Sequence, residues 1–354
     1  MTALLRGLRS TRPLRLLVAA VTLLVGSLVG AGAANAAPPG PCDIYGNGKT
    51  PCVAAHSTVR ALYSSYDGPL YQVQRASDQS TRDIGVVAAG GVADARSQDS
   101  FCGRTSCTIT RIYDQSPQHN DLTIEGPGTN GPQNSGVIAN ALPVTVGGHE
   151  AYGARFDGRM GYRDNRTSGV ATNGRPEGMY MVTSGNHTNG KCCFDYGNTE
   201  VTNADTGNGH MDALNFGNLC WFTPCPGSGP WAQADMENGL FQSDIGTSRD
   251  PSNTGNHSPF VTALLKNNGQ NRFALKDGNA QSGGLTTTFA GPTPTNPAGY
   301  SPMHQEGGIV LGTGGDNSNE ATGSFFEGVM TAGMPSDAAD DAVQANIVGA
   351  GYQQ

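Results

Sequence analysis

Short apolar runs, separated by clusters of Gly, Asn, Asp and Pro, recur along the chain from Cys42 onward. Runs of this length between turn-forming residues are typical of the strands of an all-β sandwich. No alternation of strands with long helical patterns interrupts them, so a parallel sheet is not predicted. We therefore expect an all-β fold, with strands at 108–113, 178–183, 260–266, 272–276, 308–312 and 324–331.

Turn and cap residues refine this pattern. The Asn-Asn-Gly sequence at 267–269 separates two of the predicted strands and indicates a β-hairpin. Two helices are also expected. One covers 54–63, ahead of a Tyr-Asp-Gly turn, and the other begins after Ser336 as its N-cap, with apolar residues of the following sequence on one face. Those apolar residues are Ala339, Val343 and Ile347.

The N-terminus has the pattern of a secretory signal peptide. Four arginines precede an apolar core at 16–29, and the small-x-small sequence Ala-Asn-Ala follows at 34–36. The core is shorter than the roughly 20 residues that a membrane span requires, although an uncleaved anchor is the alternative interpretation. We therefore predict a signal peptide at 1–36, a secreted chain, and one domain at 37–354 that does not enter a membrane.

The charge balance makes nucleic acid an unlikely class of partner. The chain has 21 basic and 29 acidic residues, and residues 1–36 contain four of the basic and none of the acidic ones. The remaining chain thus has 17 basic residues and a net charge of −12. Such a chain repels phosphate backbones.

The eight cysteines all follow the predicted signal peptide, and an even number in an exported chain indicates disulfides. Eight cysteines allow 105 pairings, but close spacing favours Cys42–Cys52, Cys102–Cys107 and Cys220–Cys225. The adjacent Cys192 and Cys193 remain open at this point. They can bond to each other as a strained ring, bond elsewhere or stay free, because neighbouring Cα atoms lie closer than ordinary disulfides favour.

Several common catalytic and metal motifs are missing from the sequence. There is no Gly-x-Ser-x-Gly elbow, Walker loop or His-Glu-x-x-His sequence. The polar segments 205–209 and 314–319 look like calcium loops but lack the bidentate glutamate. The cysteine and histidine spacing does not suit zinc. Neither a metal nor a cofactor is expected.

Carboxylates are the remaining candidates. In an extended strand, Asp235, Glu237 and Gly239 would point to the same side, where two nearby acids are costly unless a ligand satisfies them. Asp316 follows two glycines after the apolar run 309–311, and glycine permits close approach to a ligand. Two carboxyls facing one pocket can cleave a glycosidic bond. Solvated turn carboxylates are the alternative for both positions.

These residues also lie in long strings that resemble one family. The chain resembles the catalytic domain of glycoside hydrolase family 54, the α-L-arabinofuranosidase B family, over nearly all of 37–354. The matching strings are PCDIY at 41–45, AAHST at 54–58, GPLYQVQR at 68–75, CCFDYG at 192–197, the segment 205–211, ENG at 237–239, GGDNSN at 314–319, EGVM at 327–330 and QANI at 344–347.

The resemblance implies a β-sandwich of the concanavalin or jelly-roll type and a retaining, exo-acting α-L-arabinofuranosidase. It implies that Glu237 is the nucleophile and Asp316 the general acid/base, with no metal or cofactor. The implied sugar-binding residues are Asp235, Asn238, Gly239, Gly315, Trp221 and the pair Cys192 and Cys193. In the family these two cysteines form a disulfide that packs against the sugar, which implies a Cys192–Cys193 bond here.

The implied partners are arabinose-containing polysaccharides and oligosaccharides of plant cell walls, and the implied processes are L-arabinose catabolism and hemicellulose degradation. A monomer is expected. Fungal members carry a C-terminal arabinose-binding β-trefoil, whereas this sequence stops at Gln354, so no such module is expected. Cys220–Cys225 looks additional to the family's three disulfides. A lectin-like sandwich that binds sugar without cleaving it is the alternative function, and a different pentoside specificity is a further one.

Overall fold

The computed structural model describes residues 38–295 and 300–354. The predicted signal peptide, at 1–36, lies outside the described residues. Across those two ranges, none of the helices combines the length and apolar character that crossing a membrane would require.

The described residues form three helices and twenty strands. The helices are α1 (Pro41–Asn47), α2 (Ala95–Cys102) and α3 (Asp337–Gly349). The strands are β1 (Cys52–Ser57), β2 (Pro69–Arg75), β3 (Thr81–Gly85), β4 (Cys107–Ile112), β5 (Leu122–Ile124), β6 (Leu142–Val146), β7 (His149–Asp157), β8 (Tyr162–Asp164), β9 (Glu177–Thr183), β10 (Asp195–Thr199), β11 (Asp212–Gly217), β12 (Trp231–Asp235), β13 (Leu240–Phe241), β14 (Val261–Asn267), β15 (Arg272–Asn279), β16 (Thr286–Pro292), β17 (Gly308–Leu311), β18 (Thr322–Phe325), β19 (Glu327–Ala332) and β20 (Tyr352–Gln353).

Two large antiparallel sheets make up the sandwich. One has the strand order β1-β19-β9-β14-β15-β16, and the other has the order β13-β12-β11-β10-β17-β8-β5-β4-β2-β3. A smaller sheet, in the order β18-β7-β6-β20, completes the strand pairing. One continuous apolar core includes side chains from both large sheets. The predicted all-β sandwich is therefore confirmed.

Strands β10, β11 and β12 are neighbours near one edge of the larger sheet and have two different faces. Tyr196, Leu214 and Ala234 belong to the main core, whereas Ala213 and Val310 form a separate small cluster with Met211. Because successive side chains of a strand point to opposite faces, this separate cluster marks the outer face of the larger sheet.

The predicted strands are confirmed with small changes in their bounds. The hairpin is confirmed as well, since β14 pairs with β15 around a turn at 268–271. The predicted strand at 324–331 is divided at Phe326 into β18 and β19, which lie in different sheets.

The predicted C-terminal helix is confirmed as α3. Ser336 caps it, because its Oγ accepts a hydrogen bond from the backbone N–H of Ala339 at 3.2 Å. The helix docks on the smaller of the two large sheets, where Asp340 accepts hydrogen bonds from the ammonium groups of Lys266 at 2.6 Å and Lys276 at 3.0 Å.

The predicted helix at 54–63 is wrong, since residues 52–57 form β1. All six residues of this strand are buried, so the two-residue alternation that would have indicated a strand is absent. Helices α1 and α2 were not predicted from the sequence. The first contains Pro41 and Gly46 and is only seven residues long, so it has no helical periodicity to read.

Candidate active site

A pocket on the outer face of the larger sheet brings together carboxyl groups, a disulfide and an aromatic ring. Its cavity volume is about 60 Å³, well below the roughly 300–1,000 Å³ of sites for drug-sized ligands. The pocket is lined by Cys192, Cys193, Glu200, Asp205, Met211, Trp221, Asp235, Glu237, Gly239, Leu240, Gly314, Gly315, Asp316 and Ser318.

Glu237 lies in a tight turn directly after β12. The strand ends at Asp235, and Glu237 has a φ of 67°, in the left-handed region that non-glycine residues seldom adopt. The Asp235 Oδ1 atom accepts a hydrogen bond from the Glu237 N–H at 2.9 Å. Backbone conformations of this kind persist where the surroundings hold them, and they cluster at functional sites.

The carboxylate of Glu237 is held by backbone donors of the loop before β11. Oε1 accepts from the N–H of Thr206 at 2.7 Å, and Oε2 accepts from the N–H of His210 at 2.8 Å. Burial raises the pKa of Glu237 above its usual range, and the nearby Asp205 carboxyl adds to the rise, while the two N–H groups oppose it. The two donors hold the ionised carboxylate in one orientation.

Asp316 lies in a second tight turn, after β17. Its Oδ1 accepts hydrogen bonds from the N–H of Ser318 at 2.8 Å and from the Ser318 hydroxyl, and its Oδ2 accepts from the side-chain amide of Asn130. The Asp316 carbonyl accepts from the Asn130 N–H at 3.0 Å. Three hydrogen bonds to the carboxyl and one to the backbone carbonyl thus fix the position of Asp316 in the pocket.

Gly315 brings the turn that carries Asp316 into direct contact with Glu200. A Cβ atom at Gly315 would lie 1.9 Å from Glu200 Oε2 and 2.6 Å from Thr199 Oγ1. Below the turn, the guanidinium of Arg163 donates to the Gly315 carbonyl at 2.7 Å. Only a glycine allows this approach between the turn and the strand end.

Glu200 is a further carboxyl of the pocket, and its pKa is raised. Its Oε2 accepts from the Thr199 hydroxyl at 2.6 Å. Burial raises the pKa of Glu200 to about 8, and the charge of Glu237 adds to the rise. The raised pKa favours the protonated form of Glu200 when the neighbouring carboxyl is ionised.

Asp235 and the disulfide Cys192–Cys193 form one wall of the pocket. Cys193 Sγ lies 3.4 Å from Asp235 Oδ2. Burial raises the pKa of Asp235 to about 7. The structure has three further disulfides among the described residues, Cys42–Cys52, Cys102–Cys107 and Cys220–Cys225.

Trp221 contributes an aromatic surface to the pocket. Half of this residue is exposed, which is unusual for so large an apolar side chain. Gly239, with a φ of 138°, makes room for it, because a Cβ atom there would lie 2.7 Å from the Phe222 ring and 3.0 Å from the Trp221 ring. The disulfide Cys220–Cys225 closes the loop that carries both rings.

Eight of the nine predicted catalytic and sugar-binding residues line this pocket. The exception is Asn238, whose Oδ1 accepts from the N–H of Asn208 at 3.0 Å beside the pocket. The expectation that Asp235, Glu237 and Gly239 share one side of an extended strand is wrong. The strand ends at Asp235, and the turn at Glu237 brings the three residues to the pocket instead.

The sequence did not identify Glu200 or Asp205 as pocket residues. For Glu200 the sequence did contain a signal, namely an acidic residue at the end of a strand. Glu200 comes directly after β10, just as Glu237 comes shortly after β12. The contact with Gly315 crosses more than a hundred residues of sequence, and no local pattern could predict it.

One group of described residues, Cys192, Cys193 and Asp235, has atoms close enough together to hold a metal ion. Both sulfurs are bonded in a disulfide, whereas metals bind the thiolate. This group therefore lacks the ligands of a zinc or other soft-metal site.

Comparison with known proteins adds the family. The family model described as "Alpha-L-arabinofuranosidase B, catalytic" matches residues 41–353. The chain is 53% identical over 350 residues to α-L-arabinofuranosidase B of Emericella nidulans, covering 97% of this chain and 66% of that protein. It is 56% identical over 322 residues to a probable α-L-arabinofuranosidase B of Aspergillus fumigatus, covering 88% and 62%. The chain thus spans just under two thirds of the length of these relatives.

Solved structures give the same result. One is a glycoside hydrolase family 54 α-L-arabinofuranosidase soaked with a cyclic sulfate inhibitor, with a TM-score of 0.85 and 49% identity, covering 89% of this chain and 66% of that one. Another is an arabinofuranosidase complexed with arabinofuranosyl-α-1,2-xylobiose, with the same TM-score and identity and coverages of 88% and 65%.

Proposed function

The chain belongs to the family of α-L-arabinofuranosidase B catalytic domains, and we propose that it is a retaining, exo-acting α-L-arabinofuranosidase. Its substrates are arabinan, arabinoxylan and their oligosaccharides, from which it releases terminal arabinofuranosyl groups. The observation that carries the proposal is the convergence of Glu237 and Asp316, from two separate turns, on one small pocket. The limited free space favours a single terminal sugar over the interior of a chain.

Glu237 acts as the nucleophile in this proposal. Its carboxylate attacks the anomeric carbon, forming an ester as the glycosidic C–O bond breaks. The N–H groups of Thr206 and His210 hold both oxygens, which supports a role that requires a fixed, ionised carboxylate. The pKa of Glu237 is raised by burial, so we expect the activity to fall on the acidic side at a higher pH than for an ordinary glutamate.

Asp316 acts as the general acid and base. Its proton goes to the departing sugar oxygen in the first step, and in the second step it accepts a proton from the water that attacks the ester. The bonds from Ser318 and Asn130 support this role because they fix the carboxyl while it changes its charge. Asp235, Asn238, Gly239, Gly315, Trp221 and the Cys192–Cys193 disulfide hold the sugar.

We also propose that the enzyme is secreted and acts as a monomer on plant cell-wall polysaccharides. Four disulfides among the described residues support an oxidising compartment. The proposed substrate supports the same conclusion, because a wall polysaccharide lies outside the cell that degrades it.

The test compares wild type with Glu237→Gln on an aryl α-L-arabinofuranoside. Loss of the nucleophile should lower kcat by about 10⁴-fold or more while the melting temperature stays close to that of wild type. Glu320→Gln is the matched control, since this exposed carboxyl makes only a surface contact with Lys191 and should leave kcat unchanged. Full activity of Glu237→Gln would contradict the assignment.

The Asp316 role is tested by the leaving group. Asp316→Asn should cleave substrates with poor leaving groups far more slowly and lose less with good ones, because good leaving groups need no proton. Equal losses for both would argue against the acid role. A wild-type protein that binds arabinose without cleaving any arabinofuranoside would support the lectin-like alternative.

A further inference from the structure

A buried row of amide side chains leads across the larger sheet to Asp195. Asp195 on β10 lies opposite Asn215 on β11, which lies opposite Gln233 on β12. Gln242 donates to Gln233 at 3.3 Å, Gln233 donates to Asn215 at 3.3 Å, and Asn215 donates to Asp195 Oδ1 at 2.7 Å. The Asp195 carboxyl is thus the acceptor at the end of the row.

The other oxygen of Asp195 has no partner in the row. Asp195 is completely buried, and its Oδ2 has no hydrogen-bond donor among the described residues. Asp235 follows Gln233 by two residues, so its side chain lies on the same face of the sheet as the row, and its carboxyl interacts with that of Asp195 as a hydrogen-bonding pair. A buried oxygen without a partner is costly, so a shared proton is the simplest way to satisfy the site.

The surroundings of Asp235 do not supply that proton. Its Oδ1 accepts from the N–H of Glu237, and its Oδ2 lies near the sulfur of Cys193, which has no proton because it is part of a disulfide. Asp195 and Asp235 are therefore two buried carboxyls in contact with no donor between them. If both were ionised, their repulsion would be strong in a medium of low dielectric constant.

We propose that Asp195 holds a proton and donates it in a hydrogen bond to Asp235, so that Asp195 is a positioning residue of the active site. The hydrogen bond keeps Asp235 ionised and fixes its orientation. Asp235 in turn lines the pocket and accepts from the N–H of Glu237, so Asp195 acts on the proposed nucleophile through Asp235. This inference deepens the proposed function and rests on it for its effect on catalysis.

The charges that face the pair all favour a retained proton. Asp316 faces both carboxyls, Asp205 and Asp212 face Asp235, and Glu237 follows it in the chain. Burial raises the pKa of Asp195 well above its usual range, and the Asp235 carboxyl adds to the rise. Burial raises the pKa of Asp235 to about 7; the hydrogen bonds with the Glu237 N–H and with Asp195 oppose this rise, and the Asp316 and Asp205 carboxyls add to it. Asp195 is completely buried, whereas Asp235 lines the open pocket, so the charge is better placed on Asp235 and the proton on Asp195.

Infrared spectroscopy tests the proton without depending on activity. Wild type at neutral pH should show the carbonyl stretch of a buried protonated carboxyl that is absent from Asp195→Asn. Asp250→Asn, which replaces an exposed carboxylate, is the control and should leave this region of the spectrum unchanged. If the spectrum of Asp195→Asn kept every carboxylic acid band of wild type, the proposal would be overturned. This outcome does not depend on whether the proposed function is right.

Kinetics tests the positioning role. Asn at 195 keeps a donor toward Asp235 and an acceptor for Asn215, so kcat/KM should stay within about threefold of wild type, whereas Asp195→Ala should lose about 10- to 100-fold. In wild type the proton is lost as the pH rises through the raised pKa, so the alkaline fall in activity should move to higher pH in Asp195→Asn. Equal losses of kcat/KM in Asp195→Asn and Asp195→Ala, or an alkaline fall in activity at the same pH as in wild type, would overturn the positioning role. If Asp195→Ala does not fold, the pH profile of Asp195→Asn decides.

Discussion

A single methyl group at Gly315 provides a sensitive test of the site's geometry. In Gly315→Ala the new Cβ would lie 1.9 Å from Glu200 Oε2, 2.6 Å from Thr199 Oγ1 and 2.8 Å from Glu200 Cδ. Carbon and oxygen atoms make ordinary contacts at roughly 3.5 Å. The turn and the carboxyl must therefore move apart by about 1.5 Å, and Glu200 cannot swing aside freely because it is only 1% exposed and bonded to Thr199.

The displacement falls on the turn that carries Asp316, the next residue in the chain. Misplacing a catalytic group by about 1 Å costs on the order of 100-fold in rate. We therefore expect kcat/KM for an aryl α-L-arabinofuranoside to fall about 100-fold, equivalent to about 2.7 kcal/mol. The overpacking itself should lower the free energy of unfolding by roughly 1–3 kcal/mol.

Two glycines serve as controls in the kinetic and urea-unfolding assays. A Cβ at the neighbouring Gly314 would lie 3.3 Å or more from every atom around it, so Gly314→Ala should lose far less activity. Gly284 has open space around its Cβ position, and Gly284→Ala should be neutral. A kcat/KM of Gly315→Ala within about threefold of wild type, or equal to that of Gly314→Ala, would show that the contact between Gly315 and Glu200 does not position Asp316.

Three other features lead to separate predictions. Ser336→Ala removes the N-cap of α3 and should lower the free energy of unfolding by about 1 kcal/mol in urea titrations. Burial raises the pKa of Asp212 to about 7, so the folded state favours the protonated form. The free energy of unfolding should be highest below about pH 4, fall as the pH rises from about 4 to about 7 and level off above that, and Asp212→Asn should flatten this dependence. Replacing Cys192–Cys193 by two serines should reduce activity with little loss of stability, because this disulfide closes the shortest loop in the chain.

Each of these has an internal control. Ser282→Ala alters an exposed serine near α3 that caps no helix, and it should not change the urea midpoint. A pH–stability curve of Asp212→Asn parallel to that of wild type would show that Asp212 does not hold the proton. Removing Cys102–Cys107, a disulfide away from the pocket, should cost about 2 kcal/mol and keep activity. The opposite pattern for the two cysteine pairs would contradict a role for Cys192–Cys193 in the site.

The sequence predicted strands where an apolar run is rich in β-branched, aromatic or other large side chains or ends at a clear turn; the fully buried β9, β14 and β17 were predicted in this way. The hairpin of β14 and β15 could be read from Asn-Asn-Gly, and α3 from Ser336 and its apolar face. Strand β1 was missed because its Ala-Ala segment looks equally suited to a helix, and its complete burial removes the alternation that would decide between the two.

The same division applies to the pocket. The residues of the two turns, at 235–239 and 314–318, stand out in the sequence as carboxyls beside glycines. Asp195 and the amide row have no such local signal, and Glu200 has only its place directly after β10, because their roles depend on contacts between strands that only the sheet order creates. Glu237 reaches the pocket because its backbone adopts a left-handed conformation just after the end of β12, and this conformation also depends on tertiary contacts.

Glu237 is the residue that bonds to the sugar in the proposed mechanism. An arabinofuranose-configured cyclic sulfate, a reagent that a retaining nucleophile opens, should be incubated with the wild-type protein before digestion and peptide mass spectrometry. We predict one covalent label per chain, on Glu237, and none in Glu237→Gln. A label on Glu200 or Asp316 instead, or an unlabelled enzyme that still releases arabinose, would contradict the central claim.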